Sequence, residues 1–572
     1  MIKRLALFFT ALLVFSTITT VRAQSFRIED LKNLFGKGNP LKLTGGFSAN
    51  SVLNEGNEAM GRDPWAYYLN GNINLNLFGQ INLPFSFSLT NSGGSYKLPS
   101  SPNRLSIHPS YKWITGHIGD VSMTFSPYTL NGHIFTGAGV ELTPDGWEFA
   151  ALYGRFQKAV EYDDARPAFL PTYKRMGYGF KVGRIKEKYQ AVVNIFSAKD
   201  KVSSLPVPPD SLGITPMENL TGSISFMYKP VKFIEISGEY GLSLLTLDMR
   251  SPDDDRNGVL GLWPGGNMSS ATYHAFKAQL NYVGENNRFG IGYERIDPGY
   301  QTLGAYYFAD DLENITVNAY QSLWNKKLSI SLSVGYEHDD LEKSKASASS
   351  RVVGSANIIA VFSERVNANL SYTNFQTYTN VRSNFELINQ ENSLDRLDTL
   401  NFVQLSQSAN LGLNIVTKKD ETREHNLNIT LSYQDAANKQ GGVYHPGSIT
   451  EMINTGASYS WTFLESGLSL NGAVNLNNSK ILNGNTLTWG PTLGASSPLF
   501  KKKVNLSGSL SYNTGSLEGI KQNEVFMCRI NSSYSPIQRH FITLVYNFRR
   551  LSVPDRPATN NSILTVGYAM SF

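Results

Sequence analysis

Apolar and polar residues alternate along most of the chain with a period of two, which is the pattern of β-strands whose two faces meet different surroundings. In "KLSISLSVGY", from Lys327, the apolar residues and the tyrosine fall on one face, and the serines and the glycine on the other. The same alternation occurs in "NINLNLF" from Asn72, "HNLNITLSY" from His425 and "VNLSGSLSY" from Val504. A soluble β-sandwich also alternates in this way, so the connections between strands must distinguish the two architectures.

Two kinds of connection separate the predicted strands, tight turns and long loops, and they alternate along the chain. The long loops are rich in Gly, Pro, Asp and Asn, as in "MRSPDDDRNGVLGLWPGGNMSS" from Met249. The tight turns are Gly79-Gln80, "PSYK" from Pro109, Pro144-Asp145-Gly146, Lys186-Glu187-Lys188, Pro230-Val231-Lys232, "GENN" from Gly284, Asn325-Lys326-Lys327, Ser363-Glu364-Arg365, "KKDETRE" from Lys418, Glu465-Ser466, Lys501-Lys502 and Pro536-Ile537-Gln538. Strict alternation of this kind predicts an all-β, antiparallel, up-and-down transmembrane β-barrel of about 26 strands (24–26), with both termini in the periplasm.

Composition supports this fold class. Charged residues make up 17% of the 572 residues, below the ~25% that is usual in soluble domains. The apolar content of 41% excludes intrinsic disorder. After the N-terminal segment there is no apolar run of about 18 residues, which excludes a helical membrane protein. The single cysteine, Cys528, excludes an internal disulfide and Cys-based zinc sites, and the net charge of +5 does not indicate a nucleic-acid partner.

The first 40 residues are predicted to be separate from the barrel, which then spans residues 41–572. Residues 1–23 have the form of a signal peptide, because Lys3 and Arg4 precede an apolar stretch and small residues around Ala23 supply a cleavage site. A short membrane anchor is the alternative for this segment. Residues 24–40 carry apolar side chains at helical spacing and predict a short periplasmic or luminal segment. Their number leaves no room for the plug domain of TonB-dependent transporters.

The C-terminal segment "SILTVGYAMSF" alternates and ends on Phe572. It resembles the last strand of outer-membrane proteins, which the barrel assembly machinery recognises, so this machinery is an expected partner. Aromatic residues near the strand ends predict girdles at the two membrane interfaces. The candidates are Tyr67, Tyr68, Trp113, Tyr153, Trp324, Tyr372, Trp461 and Tyr546.

Charge differs between the two kinds of connection. The tight turns are rich in Lys, whereas the long loops carry acidic clusters at Asp163-Asp164, Asp253-Asp254-Asp255, Asp310-Asp311 and Asp339-Asp340. Solvated loop charges are the favoured interpretation of these clusters. The alternative is that they bind calcium or bridge lipopolysaccharide through divalent cations. Outer-membrane lipid and lipopolysaccharide are expected partners of the barrel.

The sequence predicts no enzyme and no cofactor. The eight histidines are scattered without an H-E-x-x-H pattern, and G-x-S-x-G or P-loop patterns do not occur in a strand-turn-helix context. We therefore assign no catalytic, cofactor-binding or metal-binding residue from the sequence.

Two stretches resemble segments of large outer-membrane barrels of poorly characterised function from Bacteroidota-type bacteria. They are "GDVSMTFSPYTLNGHIFTGAGVELTPDGWEFAALYGRFQKAV" from Gly119 and "YERIDPGYQTLGAYYFADDLENITVNA" from Tyr293. The resemblance implies a porin-like fold and an outer-membrane location, and it brings no site residues. Within the first stretch, Pro127, Tyr128 and Gly132 predict a loop that folds inward.

A barrel of this strand number is wide enough for an aqueous interior, because diameter grows with strand number. One hypothesis is a passive or substrate-selective pore for small hydrophilic solutes, with loops around Asp255 and Pro208 as constrictions. The other is a component of an outer-membrane export or assembly complex that holds partner proteins, including envelope lipoproteins or other membrane proteins. In that case exposed loop residues such as Trp263-Pro264 form docking surface.

Overall fold

The computed structural model describes residues 41–56, 64–92, 103–162, 170–207, 209–253, 266–343, 350–374, 377–379, 403–437, 439–440, 443–444, 449–481 and 484–572. The predicted signal peptide (1–23) and the predicted N-terminal segment (24–40) lie outside these residues. Within the described part of the chain, no helix has the length and apolar character needed to cross a membrane.

The described chain is almost entirely β-strand, with two short 3-10 segments at Val202–Ser204 and Asp210–Leu212. The strands are β1 (Leu41–Gly56), β2 (Trp65–Leu77), β3 (Ile81–Thr90), β4 (Arg104–Ile107), β5 (Ser110–Tyr111), β6 (Ile114–Thr124), β7 (Asn131–Leu142), β8 (Trp147–Gln157), β9 (Lys174–Ile185), β10 (Tyr189–Lys201), β11 (Glu218–Val231), β12 (Ile234–Thr246), β13 (Ser270–Val283), β14 (Asn287–Ile296), β15 (Leu312–Leu323), β16 (Leu328–His338), β17 (Ser350–Ser363), β18 (Val366–Thr373), β19 (Thr377–Thr379), β20 (Val403–Lys419), β21 (Arg423–Ala437), β22 (Lys439–Gln440), β23 (Val443–Tyr444), β24 (Ile449–Phe463), β25 (Ser469–Ile481), β26 (Gly484–Leu499), β27 (Val504–Leu517), β28 (Ile520–Tyr534), β29 (His540–Ser552) and β30 (Thr559–Ser571).

These strands close into one antiparallel barrel. β4 and β5 both pair with β3 and β6 and so form one interrupted strand, β18 and β19 both pair with β20, and β22 and β23 pair only with each other. The barrel therefore has 26 strands. Its closure pairs β1 with β30, and Gly45 and Phe572 exchange two backbone hydrogen bonds of 2.9 Å at the end of this seam. The predicted fold class is confirmed.

The alternation along each strand separates an apolar face from a polar one. On one face, Ile224, Ile291 and Val317 are 57%, 57% and 56% exposed in the isolated chain. The opposite face carries Asn, Ser, Thr and Gly. A closed antiparallel sheet satisfies every backbone group internally, and an apolar outer face is suited to lipid. The chain is thus a multi-pass β-barrel of the outer membrane, and its polar face lines the lumen.

The girdle prediction holds in part. Trp113, Tyr153, Trp324 and Tyr372 are exposed on the barrel surface. Tyr68 was wrongly predicted to lie in a girdle, because it falls on the inner face, where it packs with Val52, Ala66 and Ile563. Tyr67 and Tyr68 are consecutive in β2, so the two tyrosines point to opposite faces.

The twelve tight turns lie at one end of the barrel, as predicted, and the longer connections lie at the other. Strict alternation in length is nevertheless wrong for two connections at this second end, residues 482–483 between β25 and β26 and the connection between β27 and β28. The latter consists of Glu518 and Gly519, with φ of 50° and 81°. Positive φ at both central residues is the geometry of a two-residue hairpin turn whose twist matches that of the strands. Both described ends of the barrel seam, at β1 and Phe572, lie at the tight-turn end.

Adjacent residues of β15 test the assignment of faces. Val317→Arg places a charge on the lipid-facing side and should destabilise the barrel by about 2–4 kcal/mol. Asn318→Arg, one residue further on, points into the lumen and should change stability much less. Urea-induced unfolding of both variants in lipid vesicles measures the difference, and equal destabilisation would contradict the assignment.

Candidate functional site

Two connections fold back onto the inner face of the barrel and contact each other. They are residues 125–130, between β6 and β7, and residues 297–311, between β14 and β15, which we call the inner wedge. Leu130 and Gly304 form a parallel bridge, and the Asn131 amide donates to the Gly304 carbonyl at 2.9 Å. The predicted inward fold of the loop that contains Tyr128 is confirmed. Its docking partner lies in the second of the two stretches that resemble known barrels.

The wedge packs against aromatic side chains at inner positions of the barrel wall. Leu130 and Leu303 are buried against Phe135, Phe156 and Phe196 of β7, β8 and β10. The ring centroids of Phe156 lie 5.1 Å from those of both Phe135 and Phe196. Large apolar residues replace the usual small polar ones at these inner positions, because the wedge, and not water, covers them.

A second contact joins the two segments through tyrosines. Tyr128 and Tyr300 pack edge to face, with centroids 6.1 Å apart, and the Tyr300 hydroxyl donates to the Tyr128 carbonyl at 2.7 Å. The Tyr128 hydroxyl donates to Glu294 at 2.7 Å, and the Ser126 hydroxyl donates to Glu239. Burial raises the pKa of both phenols well above the usual range, and for Tyr128 the carboxylate of Glu294 adds to the effect. Both phenols therefore stay protonated and act as donors.

Asn219, on the inner face of β11, holds the longer segment of the wedge. Its side-chain amide donates to the Ser243 hydroxyl at 2.9 Å and to the Gln301 carbonyl at 3.4 Å, and its oxygen accepts from the Leu303 amide at 3.1 Å. The side chain is fully buried. One asparagine thus satisfies backbone groups of a loop that has no strand partner of its own at this point.

The wedge approaches the wall closely at Gly304. A Cβ at this position would lie 2.6 Å from the Thr129 carbonyl oxygen and 2.9 Å from a ring carbon of Phe196. Only glycine lets the two segments meet at this distance.

Charged side chains on the inner face between β8 and β14 occur in pairs. Arg175 makes a bidentate contact with Asp200 at 2.8 and 2.9 Å, and Lys181 lies 2.6 Å from Glu148. Arg288 lies 2.7 Å from Glu235. Nearer the tight turns, the Nδ1 atoms of His108 and His117 are 2.8 Å apart, and His117 lies 3.4 Å from Glu141. Pairing leaves little net charge on this part of the wall.

The inner wall formed by β18, β20, β21 and β24 differs from the wall at the wedge, because polar and uncharged side chains line part of it. Here a concave pocket of about 790 Å³ is lined on its luminal side by amides and hydroxyls, and we call it the amide pocket. Strand register brings these side chains together, because Asn369 pairs with Gly412, Asn410 with Ser432, and Ser432 with Asn454. The polar lining residues are Asn367, Asn369, Asn410, Asn414, Asn428, Thr430, Ser432, Gln434 and Asn454.

The acidic clusters of the sequence have different outcomes. Asp163-Asp164, Asp254 and Asp255, together with Pro208 and Trp263-Pro264, lie outside the described residues. Asp310 accepts the Gly299 amide at 2.6 Å, and Asp311 accepts the amides of Asp340 and Leu341 at 3.1 and 3.0 Å. These two carboxylates therefore fix loop backbone. Among the described residues there is no group of three or more His, Cys, Asp or Glu side chains placed to hold a metal ion.

Sequence reasoning missed Asn219, Glu239 and Glu294. Each is a polar residue within a strand that alternates regularly, so periodicity assigns it to the inner face and goes no further. The two glutamates differ from the Ser and Asn that are usual at inner positions. A charged residue at the centre of an inner face was the available signal for a local partner.

Substitution at Gly304 should displace the wedge without opening the barrel. In Gly304→Ala the added methyl group clashes with the Thr129 carbonyl, so chymotrypsin should cleave at Tyr306 or Tyr307 at least tenfold faster. Gly222→Ala is the matched control, because its Cβ would meet nothing closer than 3.7 Å. Unchanged cleavage of Gly304→Ala would contradict the close approach.

Asn219→Leu keeps the side-chain size but leaves the Leu303 amide unsatisfied, at a cost of about 1–3 kcal/mol, whereas the Gln301 carbonyl keeps its hydrogen bond of 2.6 Å from the Ser243 hydroxyl. Hydrogen exchange of the Leu303 amide should accelerate at least tenfold. The control is Asn194→Leu, since Asn194 is an equally buried amide that donates to Ser223 within the wall at 3.0 Å. Faster exchange in the control alone would show that Asn219 does not hold the wedge.

Comparison with known proteins gives similarity only to solved structures. No protein family and no curated protein matches the chain. The FrpB iron transporter from Neisseria meningitidis is 12% identical with a TM-score of 0.36, over 95% of this chain and 84% of that one. A variant of the ferric enterobactin receptor PfeA from Pseudomonas aeruginosa is 9% identical with a TM-score of 0.40, over 94% and 81%. The P pilus usher PapC translocation pore is 11% identical with a TM-score of 0.39, over 93% and 99%. At these identities and TM-scores, the similarity carries no argument about what this chain does.

Proposed function

We propose that the protein is a pore, passive or substrate-selective, for small hydrophilic solutes in the outer membrane. The observation that carries this proposal is the amide pocket and the polar inner wall around it. These side chains are hydrated when the lumen holds water, and in a dry lumen they would be buried with too few partners. The wall is thus suited to an aqueous interior.

The width of the barrel supports the same proposal. Barrels of about 16–18 strands already leave an aqueous channel, and this one has 26. Among the described residues, the segments that fold onto the inner face pack against β7 to β15, and the amide pocket lies beyond them on β18 to β24. The wedge narrows the lumen from one side and leaves the amide pocket uncovered.

The charges indicate little preference between small ions. Arg175, Lys181 and Arg288 each face a carboxylate on the inner wall within 3 Å, so their fields largely cancel beyond a Debye length of about 8–10 Å. Selectivity in such a pore would arise from size and hydrogen bonding.

The alternative is a component of an export or assembly complex that holds partner proteins. Its support is a surface at the end opposite the tight turns, where two loops pack together. Arg250 lies 2.7 Å from Asp210 and lowers the pKa of neighbouring Asp248 by hydrogen bonding, while Val207 and Met268 stay 79% and 69% exposed. An exposed apolar patch that included these two side chains would be typical of a docking surface.

The remaining partners follow from the outer-membrane location and are proposals. The lipid-facing surface and the aromatic girdle would contact outer-membrane lipid and lipopolysaccharide, and the strand that ends at Phe572 would be recognised by the barrel assembly machinery. An origin in Bacteroidota-type bacteria, and a barrel without a TonB-type plug, are part of the same proposal.

Single-channel recording in a planar bilayer tests the pore. The purified barrel should give a steady conductance, and replacing residues 299–308 with a short Gly/Ser linker should increase it, because half of the wedge is removed. Gly222→Ala is the control and should conduct as the native barrel does. A silent barrel that copurifies with other envelope proteins would contradict the pore and favour the complex component.

A further inference from the structure

The amide pocket combines exposed hydrogen-bonding groups with an absence of charge. Each amide offers two donors and an oxygen acceptor, and hydroxyls offer both. None of the described residues that line the pocket is ionised or aromatic. Its volume of about 790 Å³ lies within the range of roughly 300–1,000 Å³ for small-molecule sites.

Several of these amides are not used by the protein. Two are engaged within the wall, since Asn410 donates to Ser371 at 3.4 Å, and Asn454 donates to Ser432 at 3.2 Å and accepts from Asn477 at 2.7 Å. The side chains of four others have no hydrogen-bond partner among the described residues, and these are Asn367, Asn369, Asn414 and Asn428. Of the four, Asn367 and Asn369 are exposed to the lumen. Their hydrogen bonds are available to water or to a solute.

From this arrangement, and given the proposed pore, we infer that the amide pocket binds neutral polyhydroxylated solutes, namely short carbohydrate chains, during their passage. A sugar hydroxyl donates and accepts, which matches an amide that does both. An uncharged lining offers an ion no opposite charge. The lining also includes Leu411, Leu413 and Leu431, which alternate along β20 and β21 with the polar lining residues, so a peptide with apolar side chains meets a mainly polar surface.

The binding should be weak, which suits passage. Each hydrogen bond to the sugar replaces one to water, so its net contribution is small, and no aromatic ring is present to stack on a pyranose. Dissociation constants in the millimolar range are expected. A solute held at this strength is released rapidly into either compartment.

Block of the ion current by maltotriose tests this inference. Maltotriose added to open native channels should reduce the current with half-saturation at millimolar concentration. The double variant Asn369→Leu/Asn428→Leu should bind at least tenfold more weakly, because two donor and acceptor amides are lost, with the block measured relative to the sugar-free current of the same variant. Asn369→Ala/Asn428→Ala repeats the test with smaller side chains if the leucine variant does not assemble.

The matched control removes two amides from elsewhere on the inner face. Asn72→Leu/Asn531→Leu changes exposed inner positions on β2 and β28, outside the amide pocket, and should leave the block unchanged. Equal weakening in the control, or an open channel that maltotriose does not block, overturns the inference and leaves the pore intact. Stronger block by triglycine than by maltotriose overturns the carbohydrate assignment.

If the barrel shows no conductance, the proposed pore is overturned. The inference about the amide pocket is then tested by a binding measurement that does not need conduction. Saturation-transfer NMR of maltotriose with the barrel in detergent measures binding without conduction. Contact that is lost in the pocket variant and kept in the control supports the amide pocket. No contact with the native barrel overturns it.

Discussion

Backbone hydrogen bonding inside a membrane is the constraint on which this structure depends. In hydrocarbon, an unpaired N–H or C=O costs several kcal/mol, so a sheet that spans the bilayer must close on itself. The seam between β1 and β30 completes this closure, and it runs to the paired Gly45 and Phe572 at the tight-turn end. Once the sheet is closed, the side chains have only two environments, lipid and lumen, and the period-two alternation follows.

Closure with 26 strands creates a second problem, because a wide lumen exposes a large inner surface. Two parts of this inner surface differ in their side chains. Over β7 to β10, the wedge covers inner aromatic residues with Leu130 and Leu303, and the side chain of Asn219 on β11 accepts a hydrogen bond from the Leu303 amide. Over β18 to β24, none of the described segments that fold inward covers the amide pocket. Among the described residues, the inner aromatic side chains of β7, β8 and β10 lie where the wedge covers them, and amides and hydroxyls line the amide pocket.

The fold was predictable because its signals are local. Alternation and turn composition identified the strands and all twelve tight turns. The hairpin at Glu518-Gly519 was missed because β27 and β28 are polar on both faces near it, as in "SLEGIKQNE", although their backbones remain paired. The wedge was predictable only in part. Pro127 and Tyr128 indicated a loop that folds inward. The hydrogen bond between Asn219 and Leu303, however, joins two positions that are distant in sequence, and the alternation of residues does not specify which inner position contacts which loop.

The distribution of apolar residues on the inner face also distinguishes the two functional hypotheses. A barrel that holds a protein inside its lumen needs an apolar inner patch, because stable interfaces bury an apolar core and deplete polar side chains there. The inner aromatic residues Phe135, Phe156 and Phe196 are already buried by the chain's own wedge. The amide pocket provides no such core. A partner protein would therefore dock on the exposed loops around Val207 and Met268, outside the lumen, and such docking would leave a solute path along the polar wall. The two hypotheses then differ in what the loops bind, and the lumen is suited to solutes in both.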